Sequence, residues 1–156
     1  MALQDTLLTR RTLLQAMLAA AVPVIIALPN HTYAQGSNSM KIRVSFNGSD
    51  LTATLEDNPT ARDFVSLLPL HGLKIEDYGS NEKISYLPRK LTEEGSGPFG
   101  NERPGDLGYF APWGNLAMYH GDYRWSRGLI RLGRFEGNFD PLLVRGKFPL
   151  RITPAS

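Results

Sequence analysis

The sequence predicts a mainly β domain, with short antiparallel strands closing into a barrel beside one or two short helices. Three observations carry that expectation. Short runs alternate polar and apolar residues with the period of two that half-buried strands show. Turn-forming residues separate these runs at regular intervals, with Gly 15 and Pro 11 in 156 residues, a loop-rich composition that disfavours a helix bundle. One segment alone changes clearly to a helical period.

The elements follow in order from Met40. Lys41-Ile42-Arg43-Val44-Ser45-Phe46 alternates throughout, so Ile42, Val44 and Phe46 share one face. Asn47-Gly48 is the strongest short hairpin signal, and Leu51–Leu55 resumes the alternation as the returning strand. Asn58 suits an N-cap and Pro59 the first helical turn. Ala61, Phe64, Val65 and Leu68 then form one apolar stripe before Pro69 stops the helix. Leu73–Tyr78 alternates again, and Glu82–Tyr86 leads as a strand into Leu87-Pro88-Arg89-Lys90-Leu91. Residues 92–106 are polar and rich in Gly and Pro, a long loop. Leu107–Phe110, Asn115–Tyr119 and Leu129–Phe135 read as strands, separated by turns at Ala111–Gly114 and His120–Asp122. Leu142 and Leu143 follow Asp140-Pro141 on a short helical turn, and Lys147–Ile152 closes the chain.

Residues 1–34 read as an export signal. Arg10-Arg11 directly precedes an apolar run from Leu13 to Leu28, and 16 residues fall short of the ~18–20 that span a bilayer. Thr32-Tyr33-Ala34 supplies a cleavage site. The arginine pair resembles a twin-arginine signal, whose substrates fold before export. That implies the twin-arginine machinery as a partner, a periplasmic or secreted product, and no stable membrane span after cleavage. An ordinary secretory signal and a retained N-terminal anchor are the alternatives. Residues 35–39 form a polar tether, and residues 40–156 form the barrel domain.

Composition narrows the chemistry. Cysteine is absent, which excludes disulfides, thiolate catalysis, cysteine zinc sites and a lipoprotein anchor. A net charge of +2 gives no electrostatic case for nucleic acid. Arg124, Arg127, Arg131 and Arg134 suit strand-edge protection and carboxylate pairing instead, with Arg127 and Arg131 near one edge beside Tyr123 and Trp125. His71 and His120 lack a second ligand at metal-site spacing, so no metal and no cofactor are expected. Gly95-Ser96-Gly97 lacks the lysine and helix of a phosphate loop, no Gly-x-Ser-x-Gly occurs, and Glu93-Glu94 lies in the polar loop.

The aromatic group is distinctive. Tyr109, Phe110, Trp113, Tyr119, Tyr123 and Trp125 crowd one short stretch. Trp113 sits on a turn and Trp125 follows one. Such rings either plug the barrel end or form an apolar pocket at its mouth.

Several segments together resemble the cyclophilins. These are Leu107–Gly114, Asn115–Tyr119, Ile130–Asp140 and Phe148–Ile152. Lys41–Val44, Leu55–Ala61, Leu87–Leu91 and Gly105–Ala117 extend the likeness over residues 40–154 to a compact group of bacterial cyclophilin-like proteins. The resemblance implies a closed eight-stranded cyclophilin-like antiparallel barrel. Cyclophilins are peptidyl-prolyl isomerases whose site uses an Arg, a Gln, a Phe floor, a Trp and a His. By that likeness Arg89 stands for the catalytic Arg and Trp125 for the Trp. Asn115 or Leu116 meets the Gln position, Ala117 the Phe floor, and Leu129 lies where His is expected. These departures point to binding rather than chemistry. The expectation is an exported domain holding a small ligand or an extended peptide, Pro-containing or not. Phe110, Trp113, Asn115, Tyr119 and Trp125 would supply the pocket, and Arg89 a fixed charge. The alternatives are a weak prolyl isomerase in periplasmic folding, with Arg89 catalytic, and an oligomerising module that uses open strand edges.

Overall fold

A computed structural model describes residues 39–156. The export signal over residues 1–34 and most of the tether lie outside the described residues. Eight strands form the wall: β1 (Lys41–Phe46), β2 (Ser49–Leu55), β3 (Leu70–Tyr78), β4 (Glu82–Tyr86), β5 (Asp106–Phe110), β6 (Asn115–Tyr119), β7 (Leu129–Phe135) and β8 (Phe148–Ala155). Their order around the barrel is β1-β2-β7-β5-β6-β4-β3-β8, every neighbouring pair is antiparallel, and β8 closes back onto β1.

The local chemistry explains the elements. Asn47 and Gly48 both adopt left-handed backbone (φ 47° and 71°), as a two-residue hairpin turn between Phe46 and Ser49 requires. The helix α1 (Pro59–Val65) starts where Asn58 accepts a hydrogen bond from the Ala61 N–H at 2.8 Å. Asn58 also donates to the Arg131 carbonyl at 3.0 Å, which ties the helix start to β7. Ala61 and Phe64 are fully buried in the barrel core, and Leu142 of a short 3-10 turn (Asp140–Leu143) joins them.

The inner faces of β1, β2, β7 and β8 fill the interior with Ile42, Val44, Leu132, Ile152 and their neighbours. A second apolar cluster lies against the outer wall. Ala117, Tyr119 and Leu129 are buried there against Phe99, Phe110, Tyr123 and Trp125. This double covering leaves all of β6 and nearly all of β5 buried, so those strands lack the alternation seen in β1.

Two expectations need correction. The chain leaves the sheet after Tyr86, and Leu87–Leu91 does not continue the strand. Pro88 has no N–H for a ladder, and Leu91 instead turns into the core with its N–H on the Tyr109 hydroxyl at 3.0 Å. The long loop is present as expected and is tied down: Thr92, Gly100, Asn101 and Glu102 bond to Asp63, Arg131, Arg134 and the Trp125 N–H. Finally, β7 pairs on both sides, so Arg131 and Arg134 guard no edge, although they do pair with carboxylates.

Gly133 lies where β7 presses on β2. A Cβ there would meet the Thr54 carbonyl oxygen at 2.2 Å and the Leu55 Cα at 2.8 Å. Backbone cannot yield as a side chain does, so Gly133→Ala should destabilise the barrel by at least ~3 kcal/mol. The urea unfolding midpoint measures it.

Candidate functional site

The outer wall carries a hollow of about 230 Å³. Strand register builds it. On β6, Asn115, Ala117 and Tyr119 stand opposite Tyr86, Ile84 and Glu82 of β4, and Phe110 of β5 stands beside Asn115. The turn Ala111–Gly114, closed by a left-handed Gly114 (φ 69°), projects Trp113 over this surface. The Trp113 ring meets Phe110 edge-on at 5.5 Å and 83°, and Tyr78 edge-on at 5.2 Å and 84°. Tyr78 is the register partner of Glu82. The rings thus run from Phe110 through Trp113 to Tyr78, with Ile84 in the lining and Ser126 at the side.

The lining residues carry one carboxylate, one amide, three hydroxyls and the Trp113 indole N–H. Asn115 is 2% exposed, and its Nδ2 donates to the Leu116 carbonyl at 2.9 Å. Its Oδ1 accepts no hydrogen bond from any described residue. Burial pushes the Glu82 carboxyl above its usual range, opposed by a hydrogen bond from the Tyr119 hydroxyl. Burial, with the Glu82 charge beside it, pushes the Tyr119 phenol well up, so it stays a neutral donor.

Tyr119 is fixed from behind. Tyr123 stacks on it at 3.6 Å and 7°, and the Tyr123 hydroxyl donates to Asp106 Oδ2 at 2.7 Å. Asp106 is fully buried. It also accepts from Arg134 Nε at 2.6 Å and the Arg103 N–H at 3.2 Å, with Arg131 3.7 Å away. Arg131 reaches Glu56 at 2.5 Å and lies over the Phe99 ring at 4.7 Å. Burial, followed by the bond to Asp106, pushes the Tyr123 phenol far up.

Of the residues expected at a site, Phe110, Trp113, Asn115 and Tyr119 converge on this hollow. They do so on the outer wall, since the barrel interior is filled by core side chains. Trp125 belongs to the adjoining apolar cluster and does not line the hollow; its indole N–H is held by the Leu129 carbonyl at 3.0 Å. Arg89 is elsewhere. Once the chain has left the sheet, α1 captures it through Asp63, with Nη2–Oδ1 at 2.7 Å and Nη1–Oδ2 at 3.1 Å. Sequence reasoning missed Tyr78, Glu82, Ile84 and Ser126. Glu82 and Ile84 share a face by alternation, but alternation does not say whether that face meets water or other side chains.

Two tests follow from these charges. Asp106→Asn leaves two arginines without their buried carboxylate and should cost ~3–5 kcal/mol, whereas Tyr123→Phe loses one hydrogen bond at ~1 kcal/mol. Urea titration separates them. The Arg89 hydrogen bond and the Thr92 N–H hold the Asp63 carboxyl below its usual value. A depressed folded pKa stabilises above the unfolded value of 3.8 and loses that contribution as pH falls through the folded value. Asp63→Asn should therefore melt a few degrees below wild type at pH 7, and the gap should close in acid.

The comparisons with known proteins bear on the family. No curated protein matches this chain. The solution structure of a hypothetical protein from Archaeoglobus fulgidus shares the fold, with a TM-score of 0.53 at 16% identity over 75% of this chain and 95% of that one. The family model described as the cyclophilin-like family matches residues 44–153. That match runs from within β1 to within β8, the two strands that meet to close the barrel, and the chain belongs to the cyclophilin-like family.

Proposed function

We propose that this protein is an exported binding domain that takes a small ligand, or one residue of an extended peptide, in the outer-wall pocket. The observation that carries the reading is the convergence of the Phe110, Trp113 and Tyr78 rings on a hollow that also holds the Glu82 carboxylate. Apolar walls with few placed polar groups are the usual form of a ligand site.

Binding is favoured over prolyl isomerisation by where the Arg89 guanidinium is. Isomerisation has a barrier of ~18–20 kcal/mol, and lowering it takes a fixed donor aimed at the twisted amide. Arg89 is committed to Asp63, and the Asn115 amide N–H to the Leu116 carbonyl. An oligomerising role through open strand edges has no support either, because each of the eight strands has two partners. Export rests on Arg10-Arg11 and the apolar run behind them.

A panel of short peptides and small organic molecules, titrated against the full chain, tests binding. At least one compound should shift tryptophan emission in wild type and not in Trp113→Ala; silence across the panel ends the reading. A protease-coupled proline peptide assay should run at the uncatalysed rate. Replacing Arg10 and Arg11 by Lys together should retain the protein in the cytoplasm, as cell fractionation would show; unchanged export of that variant would reject the twin-arginine route.

A further inference from the structure

The pocket holds a single formal charge. Glu82 is the one charged side chain in its lining, and among the described residues it has no ion-pair partner. Its chain neighbour Lys83 is fully buried and bound to Asp77 at 2.8 Å. At the other end Asn115 holds an acceptor that no described donor meets. The Glu82 carboxylate has the neutral Tyr119 hydroxyl as a hydrogen-bond donor but no counter-charge, and a cation would supply one.

Their spacing says more. Glu82 faces Tyr119 across the ladder, and Asn115 starts the same strand four residues earlier. At about 3.3 Å per residue the two ends lie roughly 13 Å apart along the wall. One small group cannot meet both. Ile84, opposite Ala117, lies between them, and Trp113 spans the pocket from Phe110 at the Asn115 end to Tyr78 at the Glu82 end. A volume of about 230 Å³ suits a side chain rather than a drug-sized molecule.

From this arrangement, and resting on the binding reading above, we infer that the pocket takes an alkylammonium group. The ammonium pairs with Glu82, and the aliphatic chain lies along Ile84 beside Trp113 toward the Asn115 end. Aromatic walls around a carboxylate favour such a cation over a neutral chain of the same shape. A lysine residue in an extended peptide and a free short diamine both present this chemistry.

The test uses the full chain and four probes: N-acetyl-lysine-N-methylamide, its neutral norleucine counterpart, butane-1,4-diamine and butan-1-ol. Tryptophan emission and the Trp113 indole NMR signal report binding. The lysine compound or the diamine should bind at least tenfold more tightly than its neutral counterpart, and Glu82→Gln should remove that advantage with its melting curve retained. Tighter binding of the lysine compound assigns the peptide source, and tighter binding of the diamine the free amine. If charged and neutral probes bind alike, the alkylammonium assignment is overturned while the pocket reading stands. If no probe perturbs Trp113, the alkylammonium assignment is overturned, and the broader panel decides the pocket reading. The comparison in wild type decides the matter even if Glu82→Gln does not fold.

Discussion

The buried carboxylate of Asp106 is the constraint on which the outer wall depends. A charge with no solvent exposure must be compensated by hydrogen bonds and counter-charge. Asp106 gets this from three directions: the Tyr123 hydroxyl, the Arg134 guanidinium and the Arg103 N–H. Each donor arrives on a different segment. The carboxylate therefore draws the segments around Arg103 and Tyr123 onto β5 and β7, and Tyr123 comes to lie flat on Tyr119. One wall of the pocket is set by a residue that does not line it.

The strand geometry at β7 makes this network reachable. Residues three apart normally fall on opposite faces of a strand. The pairing of β5 with β7 slips at Leu107 and Gly108, which face Gly133 and Arg131, so Leu132 is the extra residue. Such a bulge re-aims side chains. Arg131 and Arg134 then both reach Asp106, while Leu132 stays in the core. The same period of two, undisturbed, separates Lys83 from Glu82 on β4. Lys83 is buried against Asp77, the Gly146 carbonyl and the Phe148 ring. Burial pushes Asp77 up, but Lys83 and the Gly146 N–H outweigh it and hold the carboxyl low. Glu82, one residue away, lines the outer pocket without such a partner.

Membership of the cyclophilin-like family fixes the scaffold and leaves the site open. The guanidinium that the likeness placed at the centre of chemistry serves α1 instead, joining Asp63, Ser66 and the Lys90 carbonyl. What stands on the outer wall is a set of rings around one carboxylate. A barrel of this kind presents outward side chains from every strand, so small changes at a few outward positions suffice to exchange one ligand chemistry for another.

The sequence by itself determined the local elements. Alternation marked β1 and β2, Asn47-Gly48 the hairpin, and Asn58-Pro59 the start of α1, because each depends on residues close together in the chain. It also marked Phe110, Trp113 and Tyr119, since a cluster of aromatics on two short strands and their turn has to be placed somewhere, while Asn115 came from the likeness to the cyclophilin Gln position. Tertiary structure alone decided the rest. It put these residues outside the barrel rather than at its mouth, carried Arg89 away to Asp63, and brought Tyr78 and Glu82 to Trp113. Burial of a strand face depends on what packs over it, and the covering segments here come from loops distant in sequence. No local pattern records which carboxylate finds a guanidinium and which is left facing a pocket.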